Sequence, residues 1–132
     1  MTLVDTNVLL DLATDDPVWA DWSQGQLDAA IVRGPVLIND VAYAELSTGF
    51  ARIEELDDAL RDGGIDVERT PRAGLFLAAK AYLRYRARGG TRTGVLPDLL
   101  IGAHAAVASL PLLTRDPARH RAYFPGVQLI CP

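Results

Sequence analysis

Short apolar runs of strand length alternate with longer segments of helical spacing along the whole chain, and few architectures accept that alternation. The runs are Leu3-Val4, Val36-Leu37-Ile38, Ile65-Asp66-Val67, Leu112-Leu113 and Val127-Gln128-Leu129-Ile130. They are β-branched or leucine-rich, as buried strands are. Between them the spacing predicts helices over roughly 6–13, 17–33, 40–49, 52–62, 71–89 and 97–109, with a short helical turn over 117–123. Gly34-Pro35, Gly63-Gly64, Gly89-Gly90 and Leu110-Pro111 stand where helices should stop. Pro17, Pro71, Pro97 and Pro117 stand where a first helical turn should begin, the position that tolerates proline best. The pattern is that of an α/β fold with a mainly parallel sheet. At 132 residues the chain can bury one core and not two, so a single domain over 1–132 is expected.

Charge narrows the function classes. Thirteen basic against 17 acidic side chains give a net charge of −4, so nucleic acid binding would need a local cationic patch or a metal. The single cysteine, Cys131, excludes an intrachain disulfide and a Cys-based zinc site. The opening MTLVDTNVLL has no basic region, and Asp5 and Asp11 interrupt what a signal peptide would need as its apolar core, so a cytoplasmic location is expected. No apolar run approaches the roughly 20 residues of a membrane-spanning helix.

Four acids stand where the chemistry of such a fold concentrates. In open α/β sheets ligands bind beyond the carboxyl ends of the strands. Asp5 directly follows the first strand, and Asp116 follows another through Thr114 and Arg115. Asp98 opens a helix after Pro97, and Glu45 lies in the helix after the second strand. Each has an ordinary alternative. Asp5, Asp98 and Asp116 are all near helix N-termini, where carboxylates cap free N–H groups, and Glu45 could be a solvated helix residue. The apolar segment around Glu45 argues against the last, because an isolated carboxylate there is costly to bury. If the four converge, their repulsion calls for a divalent cation. An oxygen-rich site without cysteine or paired histidines suits Mg²⁺ or Mn²⁺ better than zinc, and such an ion serves phosphodiester hydrolysis.

Four segments, VDTNVLL, AELSTG around Glu45, PDLLIGAHA and LLTRDPARHRAYFPGVQLICP, occur in the order in which the chain resembles the PIN-domain ribonucleases, specifically bacterial toxins of the VapC kind. The resemblance spans nearly the whole chain from Leu3. It implies an α/β/α sandwich, and it implies that Asp5, Glu45, Asp98 and Asp116 are the catalytic and metal-binding quartet for one or two Mg²⁺ or Mn²⁺ ions. It assigns supporting positions to Asn7 and Thr114. It further implies endonucleolytic cleavage of an RNA substrate, a cognate antitoxin protein as inhibitor, and a homodimer.

Other residues carry weaker signals. Arg84, Arg88 and Arg92, with Arg86, cluster before Asp98 and are candidates for RNA contact, although arginines at a helix end also complement the dipole. Arg115, beside Asp116, is a candidate for the scissile phosphate. His104 lies six residues beyond Asp98, about 240° around the helix, and reads as structural. His120, between Arg119 and Arg121, reads as part of a solvated basic turn. Trp19 and Trp22 can share a helical face and read as core. Two rival functions remain. A receiver- or phosphatase-like domain lacks support, because Asn7 stands where a second acid is needed and the only lysine, Lys80, is in a helical segment. A catalytically inactive PIN-like module binding RNA or protein is opposed by the intact quartet.

Overall fold

Five parallel strands lie side by side in the order β3-β2-β1-β4-β5. They are β1 (Thr2–Val4), β2 (Val36–Asn39), β3 (Ile65–Glu68), β4 (Leu112–Leu113) and β5 (Leu129–Ile130). The structure, a computed structural model, describes all of residues 1–132. Seven helices connect and cover the strands: α1 (Thr6–Ala13), α2 (Ala20–Arg33), α3 (Asp40–Ser47), α4 (Ile53–Asp62), α5 (Arg72–Ala87), α6 (Leu96–Ala108) and α7 (Ala118–Tyr123). The result is an α/β/α sandwich.

The central strand explains the apolar runs. Leu3 is in register with Leu37 on one side and Leu112 on the other. Every residue of β1 and β2 is buried, which leaves no polar face to alternate. Val8, Leu27, Ala30, Leu46, Leu56 and Ile101 bring α1, α2, α3, α4 and α6 into one core with the strands. In α4 the buried pair Leu56 and Leu60, four residues apart, is the whole apolar stripe, and acids occupy the remaining faces. Truncating either leucine to alanine should cost about 2–5 kcal/mol. A smaller core forms where Ala78 and Ala81 of α5 meet Leu99 and Ala103 of α6 under Phe124. Small residues let those helices approach closely. At the sheet's edge β3 buries only Ile65 and exposes Asp66 and Glu68, charges that discourage a further strand from pairing.

Chain order sets the position of the site. The chain builds outward from β1 to β2 and β3, then returns to the other side of β1 to add β4 and β5. The reversal falls between β1 and β4, and at their carboxyl ends the connections diverge to leave a crevice.

Four boundaries differ from the sequence reading by more than one residue. Helix α3 ends at Ser47 rather than 49. Pro17 does not open α2, because Asp16 Oδ1 accepts the N–H groups of Val18 and Trp19 at 2.8 and 2.9 Å and holds a turn before the helix. The last strand is Leu129–Ile130, since only these residues pair with β4, opposite Leu112 and Leu113. Helix α5 stops at Ala87, followed by Gly89 in the left-handed region at φ 89°.

Candidate metal centre

Asp5 sits on the turn from β1 into α1, where capping was the plain alternative. Its backbone occupies the N-cap position, yet its side chain makes no capping hydrogen bond. Thr114 Oγ1, at the end of β4, instead donates to Asp5 Oδ2 at 2.8 Å, and His120 Nε2 of α7 lies 3.1 Å from the same oxygen. Asn7 Nδ2 is 3.4 Å from it. Only 3% of Asp5 is exposed. These partners satisfy a buried carboxylate that would otherwise be expensive.

Asn7 and Thr114 tie the two central strands together at this point. Asn7 Nδ2 reaches Thr114 Oγ1 at 3.3 Å and Asp116 Oδ2 at 3.5 Å, while its Oδ1 accepts the Arg115 N–H at 3.2 Å. The Asp116 N–H donates to Thr114 Oγ1 at 3.1 Å, which fixes the turn that presents Asp116. Asp98, in the first turn of α6, makes no capping bond and pairs with Arg119 of α7. Glu45, on α3, accepts from Thr6 Oγ1 at 2.7 Å. Asp5, Glu45, Asp98 and Asp116, with Thr6, Asn7, Leu10 and His120, line one cavity of about 140 Å³, and Leu10 is its only hydrophobic residue.

The electrostatics of this cavity favour a cation. Burial pushes the Asp98 carboxyl above the ordinary carboxylate range, the charge of Asp5 adds to the effect, and Arg119 and His120 oppose it. Burial likewise raises Glu45; the Thr6 hydrogen bond opposes this, and the charges of Asp98 and Asp5 reinforce it. Two carboxyls thus resist ionisation, chiefly because burial withdraws water from them. Hard oxygen donors in a small polar cavity fit Mg²⁺ or Mn²⁺. No group of three or more His, Cys, Asp or Glu side chains stands close enough to hold a metal ion between them. The quartet shares a cavity without forming a closed ligand set, and each of three members has a protein partner: Thr114 and His120 hold Asp5, Thr6 holds Glu45, and Arg119 holds Asp98.

The basic residues fall differently from the sequence reading. Arg115 is not free for a phosphate: its Nε donates to Asp11 Oδ2 at 2.9 Å, and its guanidinium lies 5.7 Å from the centre of the Trp19 ring. Asp11 is 2% exposed and also accepts from Ser23 Oγ at 2.8 Å, so Arg115 neutralises a buried charge. Arg84 and Arg88 stack on Tyr123, and neither lines the acidic cavity. Arg92 lines a neighbouring one. His104 is buried in α6 as a packing residue, and burial lowers its pKa. Trp19 and Trp22 do meet edge to face at 5.9 Å; both are half-buried, Trp22 packs against the main core, and Trp19 precedes α2.

His120 is the residue that the sequence reading missed. It is 2% exposed, not solvated, and its Nδ1 has no partner. With a carboxylate oxygen 3.1 Å away, Nε2 is the nitrogen that donates. The ring fits because position 102 is glycine: a Cβ there would lie 2.8 Å from Nδ1. The available signal was Pro117, which starts α7 and brings Arg119 and His120 into its first turn, close to Asp116.

Comparison with known proteins agrees with this architecture. A family model described as PIN domain matches residues 2–125. Among solved structures, VapBC2 from Rickettsia felis bound to a promoter DNA fragment is similar at a TM-score of 0.73 and 19% identity, over 98% of this chain and 97% of that one. FitAcB from Neisseria gonorrhoeae gives 0.67 and 22%, over 98% and 96%. A toxin–antitoxin complex from Klebsiella pneumoniae gives 0.68 and 22%, over 96% and 95%. No curated protein matches the sequence at a significant level.

Proposed function

The chain belongs to the PIN-domain family, and from that premise we propose that it is a Mg²⁺- or Mn²⁺-dependent endoribonuclease acting as the toxin of a toxin–antitoxin pair. The observation that carries the catalytic part is the use of its acids: Asp5, Asp98 and Asp116 all stand at helix starts, yet Asp5 and Asp98 cap none with their side chains. All three, with Glu45, line the cavity at the switch point of the sheet. A fold gains nothing in stability from directing four carboxylates into one crevice, so a charged ligand is the economical explanation.

Asp5, Asp98 and Asp116 would hold one or two ions, and Glu45 would be a further ligand or the base for the attacking water. A bound divalent ion supplies polarisation of a phosphate oxygen and a lowered pKa for water. The chain's own part is orientation. Thr114 and His120 fix one oxygen of Asp5, leaving the other for a ligand, while Asn7 holds the Asp116 turn. The raised pKa of Glu45 brings it closer to what a general base needs. Hydrolysis in this family's manner leaves a 5′-phosphate and a 3′-hydroxyl.

The toxin assignment is supported by the similar structure from Klebsiella pneumoniae, which is described as a toxin–antitoxin complex. The partners we propose are an RNA substrate, a cognate antitoxin and a second copy of the chain, in the cytoplasm. No helix is long and apolar enough to cross a membrane. The test is RNA cleavage by the purified chain with Mn²⁺, in excess EDTA, and with Asp98→Asn. Cleavage confined to the first condition supports the proposal, and equal cleavage in all three sinks it. RNA that shifts on a gel but keeps its length would instead identify an inactive binding module. Growth arrest on expression, relieved by a neighbouring gene, tests the toxin role.

A further inference from the structure

We propose that the cavity between the 91–95 loop and Arg119 is a subsite for an RNA phosphate adjacent to the scissile one, which Arg119 serves once a divalent cation has released it from Asp98. This inference rests on the metal-nuclease reading above.

The cavity measures about 580 Å³ and abuts the acidic one, with Asp98 lining both. Its chemistry is the reverse of its neighbour's. Asp98 is its only carboxylate and Val95 its only hydrophobic residue, whereas Arg92 and Arg119 bring two guanidinium groups and Thr91 and Thr93 two hydroxyls. Guanidinium groups with hydroxyl donors recognise phosphate oxygens. A chain of net charge −4 attracts polyanions only where its cations gather, and this gathering adjoins the proposed reaction centre.

The loop that forms the cavity wall is pinned. The Arg92 N–H donates to Tyr85 Oη at 3.0 Å, and Tyr85 stacks on Tyr82 with ring centres 6.3 Å apart. Gly90 lies flat on the Tyr85 ring, where any Cβ would come within 2.4 Å of Cζ. A wall held in this way loses little entropy when a ligand binds.

Arg119 connects the two cavities. Its guanidinium is paired with Asp98 Oδ2, and both side chains are partly exposed, 28% and 39%. That oxygen faces two competing cations, the guanidinium and a metal ion. Asp98 engaged with an ion would leave Arg119 free in the cavity that it already lines. Metal and RNA then favour each other's binding, and the coupling is reciprocal.

The full chain tests this in two measurements. In a calorimetric Mn²⁺ titration without RNA, Arg119→Gln should bind the ion roughly three- to tenfold more tightly than wild type, because one partly exposed competing pair is gone. Equal or weaker binding overturns the exchange. In fluorescence anisotropy, a labelled mixed-sequence dodecaribonucleotide is titrated in EDTA and in Ca²⁺, and its intactness is checked on a gel. Wild type should gain affinity on adding Ca²⁺, Arg119→Gln should lose most of that gain, and Arg119→Lys, which keeps the charge, should retain it. Arg92→Ala should weaken RNA binding in both conditions and lower the salt slope by about one. An Arg92→Ala variant with wild-type affinity and slope, or an Arg119→Gln variant with the full Ca²⁺ gain, overturns the subsite. Cleavage of the same RNA by wild type in Mn²⁺ is scored separately. Its failure removes the nuclease reading, whereas its success alongside wild-type behaviour of both variants removes the subsite alone.

Discussion

Gly102→Ala tests how the packing of α6 against α7 sets the site. A Cβ at position 102 would lie 2.5 and 2.6 Å from Cδ2 and Cε2 of Phe124 and 2.8 Å from Nδ1 of His120. Both rings are buried, at 4% and 2% exposure, so neither can yield unless α7 moves off α6. Overpacking of this kind costs about 1–3 kcal/mol. Alanine in a helix interior returns about 0.5–1 kcal/mol. Displacing His120 from Asp5 removes a hydrogen bond to a charged group, about 1.5–3 kcal/mol. The net is a destabilisation on the order of 2–4 kcal/mol, which for a chain of this size lowers Tm by roughly 8–15 °C. Gly74→Ala is the control, because its Cβ meets only ordinary contacts at 3.5 Å, with His104 and Thr70. It should leave Tm unchanged or raise it slightly. Thermal unfolding by circular dichroism reads both variants, and Mn²⁺ calorimetry reads the consequence for Asp5. Weaker Mn²⁺ binding is expected for Gly102→Ala alone. A Gly102→Ala protein that melts at or above wild type refutes the packing argument. One that melts lower but binds Mn²⁺ normally refutes the claim that His120 holds Asp5 for its ligand.

Arg115→Ala should destabilise the fold by about 2–4 kcal/mol in chemical denaturation, since it strands the buried Asp11 charge; Arg84→Ala should stay within about 0.5 kcal/mol. Equal effects would return Arg115 to the list of free surface cations. Saturating Mn²⁺ at about a hundredfold above its Kd should add about 2.7 kcal/mol of stability to wild type, and Asp98→Asn should lose most of it; a wild-type melting curve indifferent to Mn²⁺ contradicts the metal site. In EDTA the carboxyls of Glu45 and Asp98 have folded-state pKa values above their ordinary 4.5 and 3.8, so the folded chain keeps protons that the unfolded chain releases. Stability from these two groups therefore falls as pH rises from those ordinary values through the raised ones. Glu45→Gln should remove its share of that fall, read as a wild-type-minus-variant difference that changes across the acid window and is flat near neutrality; a difference constant with pH rejects the assignment.

Most of the fold was legible because its strongest determinant is local. A strand buried on both faces shows its apolar run in the sequence, as Val36-Leu37-Ile38 does, and the helices between strands show their own spacing. The boundaries that slipped did so for side-chain reasons that periodicity does not carry. Asp16 captures two N–H groups and delays α2, although Pro17 would suit a first turn. Gln128 belongs to an apolar run and its carbonyl accepts the Leu112 N–H at 2.9 Å, yet it stays outside the strand because β4 offers only Leu112 and Leu113 as register partners.

The site was legible to the same depth and no further. A carboxylate at a helix start reads identically whether it caps the helix or points away from it, so geometry was needed to separate the two for Asp5 and Asp98. The placement of its cations was hidden for a related reason. Adjacent residues leaving a strand point to opposite faces, so Thr114 turns toward Asp5, and Arg115 turns its Nε to Asp11, with Nη1 3.7 Å from Asp116 Oδ2. The cation and imidazole that reach the acidic cavity come from α7, whose first turn curls back over it and brings Arg119 to Asp98 and His120 to Asp5. Proximity to Asp116 along the chain therefore did not reveal which basic side chains line the cavity. A residue at the strand exit is committed by the strand's alternation, whereas one a helical turn later is free to return to the site.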